Sequence, residues 1–229
     1  MPVTAAQKFS EERDGLKHAR QERILRAAFT LFSQKGIDTI AMTDIARLAE
    51  IGVASLYRYY ETKEEIAIRT AIWAWEEQKV HILPEMDAAG YAESDGRGQL
   101  QLMLRKFVEL YEQHPDFLRF ISFFDSYAVR SGIDSARLAD YAQMITSVQQ
   151  IVTAAISRGI ADGSIRGTWN ADDLYFAIMH PFFCTAQKLS LNGTMLGDGM
   201  QADGGRELSL LAELLLKAIG DYSRSPAGS

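Results

Sequence analysis

A single cysteine, Cys184, occurs in the 229 residues. That excludes an internal disulfide framework and any zinc site built from several cysteines, and it fits a reducing compartment. Positive charge is not in surplus: 24 Lys and Arg stand against 30 Asp and Glu, a net charge of −6. A role with nucleic acid would therefore have to come from a local surface. Long apolar runs are missing. No stretch reaches the roughly 18 residues that cross a bilayer, and the opening MPVTAAQKFSEERDG has no apolar segment of the kind a secretory signal carries. The expectation is a soluble, cytoplasmic protein with no membrane partner. Period-2 strand patterns and internal repeats are also lacking.

What is present is ordinary for a folded chain, with 47% apolar and 24% charged residues. Charge is uneven along it. The first 66 residues hold ten Lys/Arg and ten Asp/Glu, so the whole negative balance lies in the remainder, which suggests two parts with different surfaces. Residues 1–19 are polar and aperiodic and read as a flexible arm. From Arg20, Ile24, Leu25, Ala28, Leu31 and Phe32 recur at helical spacing and make one apolar face, closed by Gly36 after Lys35. A short helix fits Met42 to Ala49, and another fits Val53 to Tyr60. Lys63-Glu64-Glu65 opens a longer one that runs to about His81 before Pro84.

The rest also reads as helix: Leu100–His114 stopped at Pro115, Asp116–Val129, Asp134–Ala161 ending at a Gly163 turn, a helix capped by Asn170, and Glu207 to about Ile219. Asp87–Gly98 and the glycine-rich Asn192–Gly205 read as loops. The fold class is all-α: an N-terminal three-helix bundle at 20–66, a larger helical domain at 67–222, and a disordered tail at 223–229.

Two short helices joined by a tight turn suit a helix-turn-helix, whose second helix lies in the major groove while the first crosses the backbone. A plain helical hairpin has the same spacing. The surface chemistry of Val53-Ala54-Ser55-Leu56-Tyr57-Arg58-Tyr59-Tyr60 separates the two. Leu56 and Tyr60 are four residues apart and can face a core. Ser55, Tyr57, Arg58 and Tyr59 then cover the other directions with hydroxyls and a guanidinium, the donors that serve phosphates and base edges. Half-buried packing remains open for Tyr57 and Tyr59.

These elements resemble the TetR-type one-component transcriptional regulators of bacteria. The likeness rests on Ala28-Phe29-Thr30-Leu31-Phe32-Ser33-Gln34-Lys35-Gly36, then Ile45-Ala46, then Leu56-Tyr57-Arg58-Tyr59-Tyr60 and Lys63-Glu64-Glu65, and covers about Arg20 to Ile66. It implies Thr43 on the second helix near DNA and Val53, Ala54 and Ser55 opening the recognition helix at the bases. It further implies Tyr57, Arg58 and Tyr59 beside them at phosphates or base edges, and Lys63 at a phosphate from the head of the fourth helix, whose N-terminus favours anions. The chain departs from the family pattern at three places. Ala41 stands where a capping hydroxyl is usual, Glu50 where the turn usually has glycine, and Gly52 where a hydroxyl often starts the recognition helix. A lost cap costs about 1 kcal/mol, and a non-glycine left-handed residue roughly 1 more. Lys8, Arg13, Lys17 and Arg20 could serve as a minor-groove arm, but the interspersed Glu11, Glu12 and Asp14 favour a solvated tail.

The resemblance also implies an operator-bound homodimer released by a small-molecule effector. Aromatics and methionines cluster in the second part, and the candidate pocket residues are Trp73, Met103, Phe107, Tyr111, Phe120, Phe124, Tyr127, Met144, Phe176, Met179, His180 and Phe183. Scarcity of basic residues among them points to an apolar or aromatic effector rather than a polyanion. Leu208, Leu210, Leu211, Leu214, Leu215, Leu216 and Ile219 wrap the last helix more fully than one face can bury, so the last two helices are the expected dimer contact. No cofactor, metal or catalytic residue is expected. His180 and Cys184 are four apart but lack a third ligand, the glycine pairs follow no strand, and no serine motif has a matching base. The competing class is a helical ligand-binding or enzymatic domain whose N-terminal bundle serves only oligomerisation.

Overall fold

The computed structural model describes residues 5–86, 89–192 and 203–220, which contain ten helices and no strand. In chain order they are α1 (Ala5–Lys35), α2 (Met42–Leu48), α3 (Val53–Tyr57), α4 (Lys63–Met86), α5 (Ala89–Glu93), α6 (Gly96–Gln113), α7 (Pro115–Arg130), α8 (Ala139–Asp162), α9 (Ala171–Asn192) and α10 (Gly204–Gly220). The tail at 223–229 and most of the glycine-rich loop lie outside the described residues. Among those described, no helix is long and apolar enough to cross a membrane.

The chain divides into two compact units. Unit 1 takes the residues up to Ala74 together with Phe120–Tyr141, and unit 2 takes Trp75–Arg119 and the residues from Ala142 onward. This cuts the chain differently from a boundary at 66/67, because α4, α7 and α8 each contribute residues to both units. The second correction concerns the arm. From Ala5 onward, the residues expected to form a free arm continue α1 as one helix. Residues 15–20 are exposed, so no apolar stripe announces this stretch, and helix-forming Ala, Gln, Lys, Glu and Arg carry it instead.

The core of unit 1 is built from the apolar faces that the spacing requires. Ile24, Ala28 and Phe32 of α1, Ile45 and Ala46 of α2, Leu56 of α3 and Ile66 of α4 are all buried. Phe120 of α7 lies parallel to Phe32 at 6.2 Å and edge-on to Phe29 at 5.4 Å. Gly36 ends α1 at φ +75°, with its N–H on the Phe32 carbonyl at 2.9 Å, the left-handed stop that glycine makes without strain.

In unit 2, α10 packs on α6 and α9, burying Leu208, Ala212, Leu216 and Ile219. Asp95 caps α6 by accepting the Gly98 N–H at 2.7 Å. A Cβ on Gly96 would lie 2.0 Å from the Gly159 nitrogen, so glycine is required where α6 begins against α8. Asn170 caps α9 by accepting the Asp172 and Asp173 N–H groups. The expected start of α8 at Asp134 moves to Ala139: the Asp134 carboxylate accepts the Arg137 N–H at 2.9 Å and holds a turn ahead of the helix.

Candidate nucleic-acid interface and effector region

The segment from Ala41 to Gly52 accommodates all three departures. Ala41 is the N-cap of α2 without a side-chain bond, and Asp44 accepts the Ala41 N–H at 3.1 Å, which keeps the reciprocal half of a capping box. Glu50 takes the left-handed conformation at φ 54° and is the one non-glycine described with positive φ. Its strain is offset by two turn bonds, Glu50 N–H to the Arg47 carbonyl at 3.2 Å and Ile51 N–H to the Ala46 carbonyl at 3.0 Å. Arg47 pairs with Asp44 at 2.5 Å and not with Glu50. Gly52 then caps α3 through its carbonyl, which accepts the Ser55 and Leu56 N–H groups.

α3 is shorter than its pattern suggested, ending at Tyr57 with Arg58 as C-cap. Tyr60 N–H still reaches the Leu56 carbonyl at 3.0 Å, so the chain keeps its helical course. Leu56 and Tyr60 are buried, and burial pushes the Tyr60 hydroxyl up to about 12, with Arg69 pulling against it. That phenol stays protonated. Facing the other way, Thr43 of α2 and Val53, Ala54, Tyr57 and Arg58 are exposed, while Ser55 and Tyr59 are half-buried. Tyr57 keeps 49% of its surface. The Arg58 guanidinium donates to Ser55 Oγ at 2.9 Å, which lays it along the helix instead of leaving it to swing. The structure therefore gathers seven of the eight DNA-contact candidates on α2, α3 and the turn that follows.

Lys63 is the exception. Its ammonium donates to the carbonyls of Ile37, Asp38 and Ile40 at 3.0, 2.9 and 3.0 Å. An ammonium has three N–H bonds, and all three are used to close the turn between α1 and α2. The structure thus gives Lys63 a framework role in place of the expected phosphate contact. Sequence spacing placed it at the head of α4 but held no sign that three carbonyls 23 to 26 residues upstream converge there.

Other links in unit 1 frame the same region. Thr62 accepts the Glu65 N–H at 3.1 Å and the Arg137 guanidinium at 3.2 Å. Tyr127 donates to Glu64 at 3.2 Å, Arg69 pairs with Asp140 at 2.7 Å, and Arg130 pairs with Asp38. The Glu64 carboxyl is held below its ordinary range by its own backbone N–H, with the Thr62 and Tyr127 hydroxyls and Arg137 adding to the effect. Burial, with Glu64 beside it, pushes the Tyr127 phenol up. An open hollow of about 950 Å³ beside the recognition helix is lined by Tyr57, Arg58, Tyr59, Thr62, Arg69 and Arg137, among others.

The effector candidates fall in both units. Trp73, Phe120, Phe124 and Tyr127 belong to unit 1. There Trp73 lies edge-on to Phe29 with Arg26 over its ring at 5.3 Å, and Tyr127 serves Glu64. Met103, Phe107, Met144 and Met179 are buried in unit 2, with Phe183 half-buried at 6.2 Å from Phe107 and Tyr111 half-buried on α6. Phe176 and His180, also named as effector candidates, are exposed. They sit on the exposed side of α9 with ring centroids 4.9 Å apart, because the aromatics of this helix occupy more than one face. Leu210 and Leu214 of α10 are 55% and 58% exposed, one turn apart.

Two residues that the aromatic pattern did not single out stand deeper. Trp75 and Gln78 continue the buried stripe Ala71, Ala74, Trp75, Gln78 of α4, at the i, i+3, i+4, i+7 positions that face a core. An amide at such a position is a sequence signal that a survey of aromatics alone overlooks.

Residues 24–70 match the family model for bacterial regulatory proteins of the tetR family. Over 46 residues the chain is 46% identical to the biofilm operon icaADBC HTH-type negative transcriptional regulator IcaR of Staphylococcus epidermidis, a match covering 20% of this chain and 25% of that protein. The fold is similar to a bacterial regulatory protein in the tetR family from Rhodococcus RHA1, with TM-score 0.66 and 18% identity over 88% of this chain and 97% of that one. It is also similar to the transcriptional regulator FadR from Bacillus subtilis in complex with stearoyl-CoA, with TM-score 0.63 and 16% identity over 86% and 98% of the two chains. Family model and local identity agree with the helix-turn-helix geometry at 41–60: residues 24–70 are similar to the DNA-binding segment of tetR-family regulators, and the chain spans a quarter of the curated relative it matches at 46% identity.

Proposed function

We propose that this chain is a ligand-responsive transcriptional repressor that binds operator DNA as a homodimer and leaves it when a small molecule binds. The observation that carries the reading is the outward surface of α3. Val53, Ala54, Tyr57 and Arg58 are exposed at a helix locked from behind by Leu56 and Tyr60. In this reading Val53, Ala54 and Ser55 meet base edges. Thr43, Tyr57, Arg58 and Tyr59 serve phosphates and flanking bases. Repression is supported by the likeness of this segment to a negative transcriptional regulator, and an effector by a fold shared with a regulator that holds stearoyl-CoA.

The dimer contact is assigned to α9 and α10, where Leu210, Leu214 and Phe176 are exposed apolar side chains. A two-fold pair of such faces buries them and presents two recognition helices to half-sites one turn of DNA apart. The effector acts by preferring one of two arrangements of the dimer. Its leverage equals the difference between its affinities for the two. A regulator of this kind works in the cytoplasm.

The test is selection of duplex DNA from a random pool, followed by gel-shift titration of the selected site at several salt concentrations. A palindromic site and a steep negative slope of log affinity against log salt are expected, since each neutralised phosphate releases a counterion. Absence of duplex binding overturns the reading.

A further inference from the structure

With Lys63 closing the turn between α1 and α2, the head of α4 loses the cation that its sequence promised, since all three ammonium N–H bonds go to carbonyls. The fold brings another cation to the same place from 75 residues beyond Thr62. Arg137, in the turn ahead of α8, is exposed, and its guanidinium donates to Thr62 Oγ1 at 3.2 Å. Thr62 directly precedes Lys63, and its hydroxyl also accepts the Glu65 N–H at 3.1 Å. Arg137 therefore sits at the first turn of α4. A guanidinium has five N–H bonds, and this link uses one of them.

There is room for a partner at this point. Arg137 lines the open hollow of about 950 Å³ together with Tyr57, Arg58 and Tyr59, all within unit 1. A molecule lying along the end of α3 thus also borders Arg137. Three guanidinium groups line the hollow, on Arg58, Arg69 and Arg137, against the carboxylates of Glu61, Glu65 and Asp140. Net charge does not choose the occupant, so the partner of each group has to. Asp140 is taken by Arg69 at 2.7 Å. Glu65 accepts the Glu61 N–H at 2.8 Å, and Glu64, next to it, accepts the Tyr127 hydroxyl at 3.2 Å. Among the described residues Arg58 and Arg137 have no ion-pair partner, and both are exposed. Glu61 is the acid that stands against them. Two planar guanidinium groups beside the Tyr57 and Tyr59 hydroxyls match the oxygens of a phosphodiester chain.

We propose that Arg137 is a contact to the operator backbone from outside the helix-turn-helix, taking at the head of α4 the phosphate that Lys63 cannot take. Such a contact adds affinity without choosing bases. The proposal rests on the repressor reading for the presence of DNA. It goes beyond that reading in carrying the DNA surface past residues 24–70, the segment that matches the regulator family.

The test titrates the full-length wild type, Arg137→Ala and Arg137→Lys against the selected duplex over a range of salt. A second series replaces single phosphates of that duplex with neutral methylphosphonates. Arg137→Ala is expected to lower affinity about three- to tenfold per subunit, by a similar factor on a duplex of unrelated sequence, and to flatten the log–log salt slope by about 0.9 per subunit. Arg137→Lys keeps the charge and should recover the slope. One methylphosphonate should weaken the wild type while leaving Arg137→Ala unchanged. Affinity equal to that of the wild type in Arg137→Ala overturns the contact alone. So does a loss of affinity at the wild-type slope, which is what a tie that merely steadies Thr62 would give. A slope that lysine does not recover, or the absence of any phosphate whose neutralisation spares Arg137→Ala, also overturns it. Wild-type protein that binds no duplex overturns the repressor reading instead.

Discussion

Polar groups are treated differently in the two units. In unit 1, Lys63 is met by three carbonyls, Thr62 by Arg137, Glu64 by Tyr127, Asp140 by Arg69 and Asp38 by Arg130. Among the described residues of unit 2, three buried polar atoms go unmet. The first pattern holds the short helix α3 in one attitude, as the proposed contact with regularly spaced phosphates requires. The second leaves buried polar atoms whose hydrogen bonds no described residue completes. Satisfied networks specify a single arrangement, whereas each unsatisfied buried group costs stability.

The comparison can be broken or sharpened by substitution. The largest effect is expected on the outer surface of unit 2. The double variant L210E/L214E places carboxylates where the partner's apolar face should lie, so the dimer should separate and operator affinity fall on the order of a hundredfold or more; sizing beside gel-shift titration measures both. Next is Lys63→Ala, which orphans three carbonyls and should cost about 2–3 kcal/mol of stability, read from chemical denaturation. Tyr57→Ala should do the opposite, weakening operator binding by about tenfold while changing stability by less than about 0.5 kcal/mol. If Lys63→Ala leaves stability unchanged, the framework role is lost and the phosphate contact returns.

Two smaller effects follow. Glu50→Gly should stabilise the domain by about 1 kcal/mol, because glycine takes φ 54° without a Cβ penalty. It should also tighten operator binding by removing an acid from the DNA side. The last prediction concerns acid. Since the Glu64 carboxyl is held below its ordinary range in the folded protein, its contribution is present above that range and lost as pH falls through the lower folded value. Urea midpoints of the wild type should therefore drop more steeply than those of Glu64→Gln between about pH 5 and pH 3.

Much of the fold was legible because apolar spacing and caps agree. Ile24, Ala28 and Phe32 mark the inner face of α1, Gly36 stops it, Asn170 starts α9, and Leu56 with Tyr60 orients α3. The all-helical class follows from the same periodicity. What was not legible depends on contacts remote in sequence or on surfaces with no apolar signature. The extension of α1 back to Ala5 carries no apolar stripe in sequence, and its residues 15–20 are exposed. Ala89–Glu93 forms a short helix inside a stretch rich in glycine and acids. The convergence of three carbonyls on Lys63 is a tertiary event. In α9, Phe176 and Phe183 look alike as residues, yet one is exposed and the other packs on Trp75. Aromatic composition alone cannot assign their sides.

The three carbonyls around Lys63 have a consequence for how salt acts on this molecule. Attraction between an ammonium and neutral peptide dipoles works at contact range, whereas exposed ion pairs such as Arg130–Asp38 are weakened by mobile ions. The corner between the first two helices therefore keeps its shape as electrolyte is added. A salt titration of operator binding then counts displaced counterions along the duplex and is not confounded by loosening of the reading head.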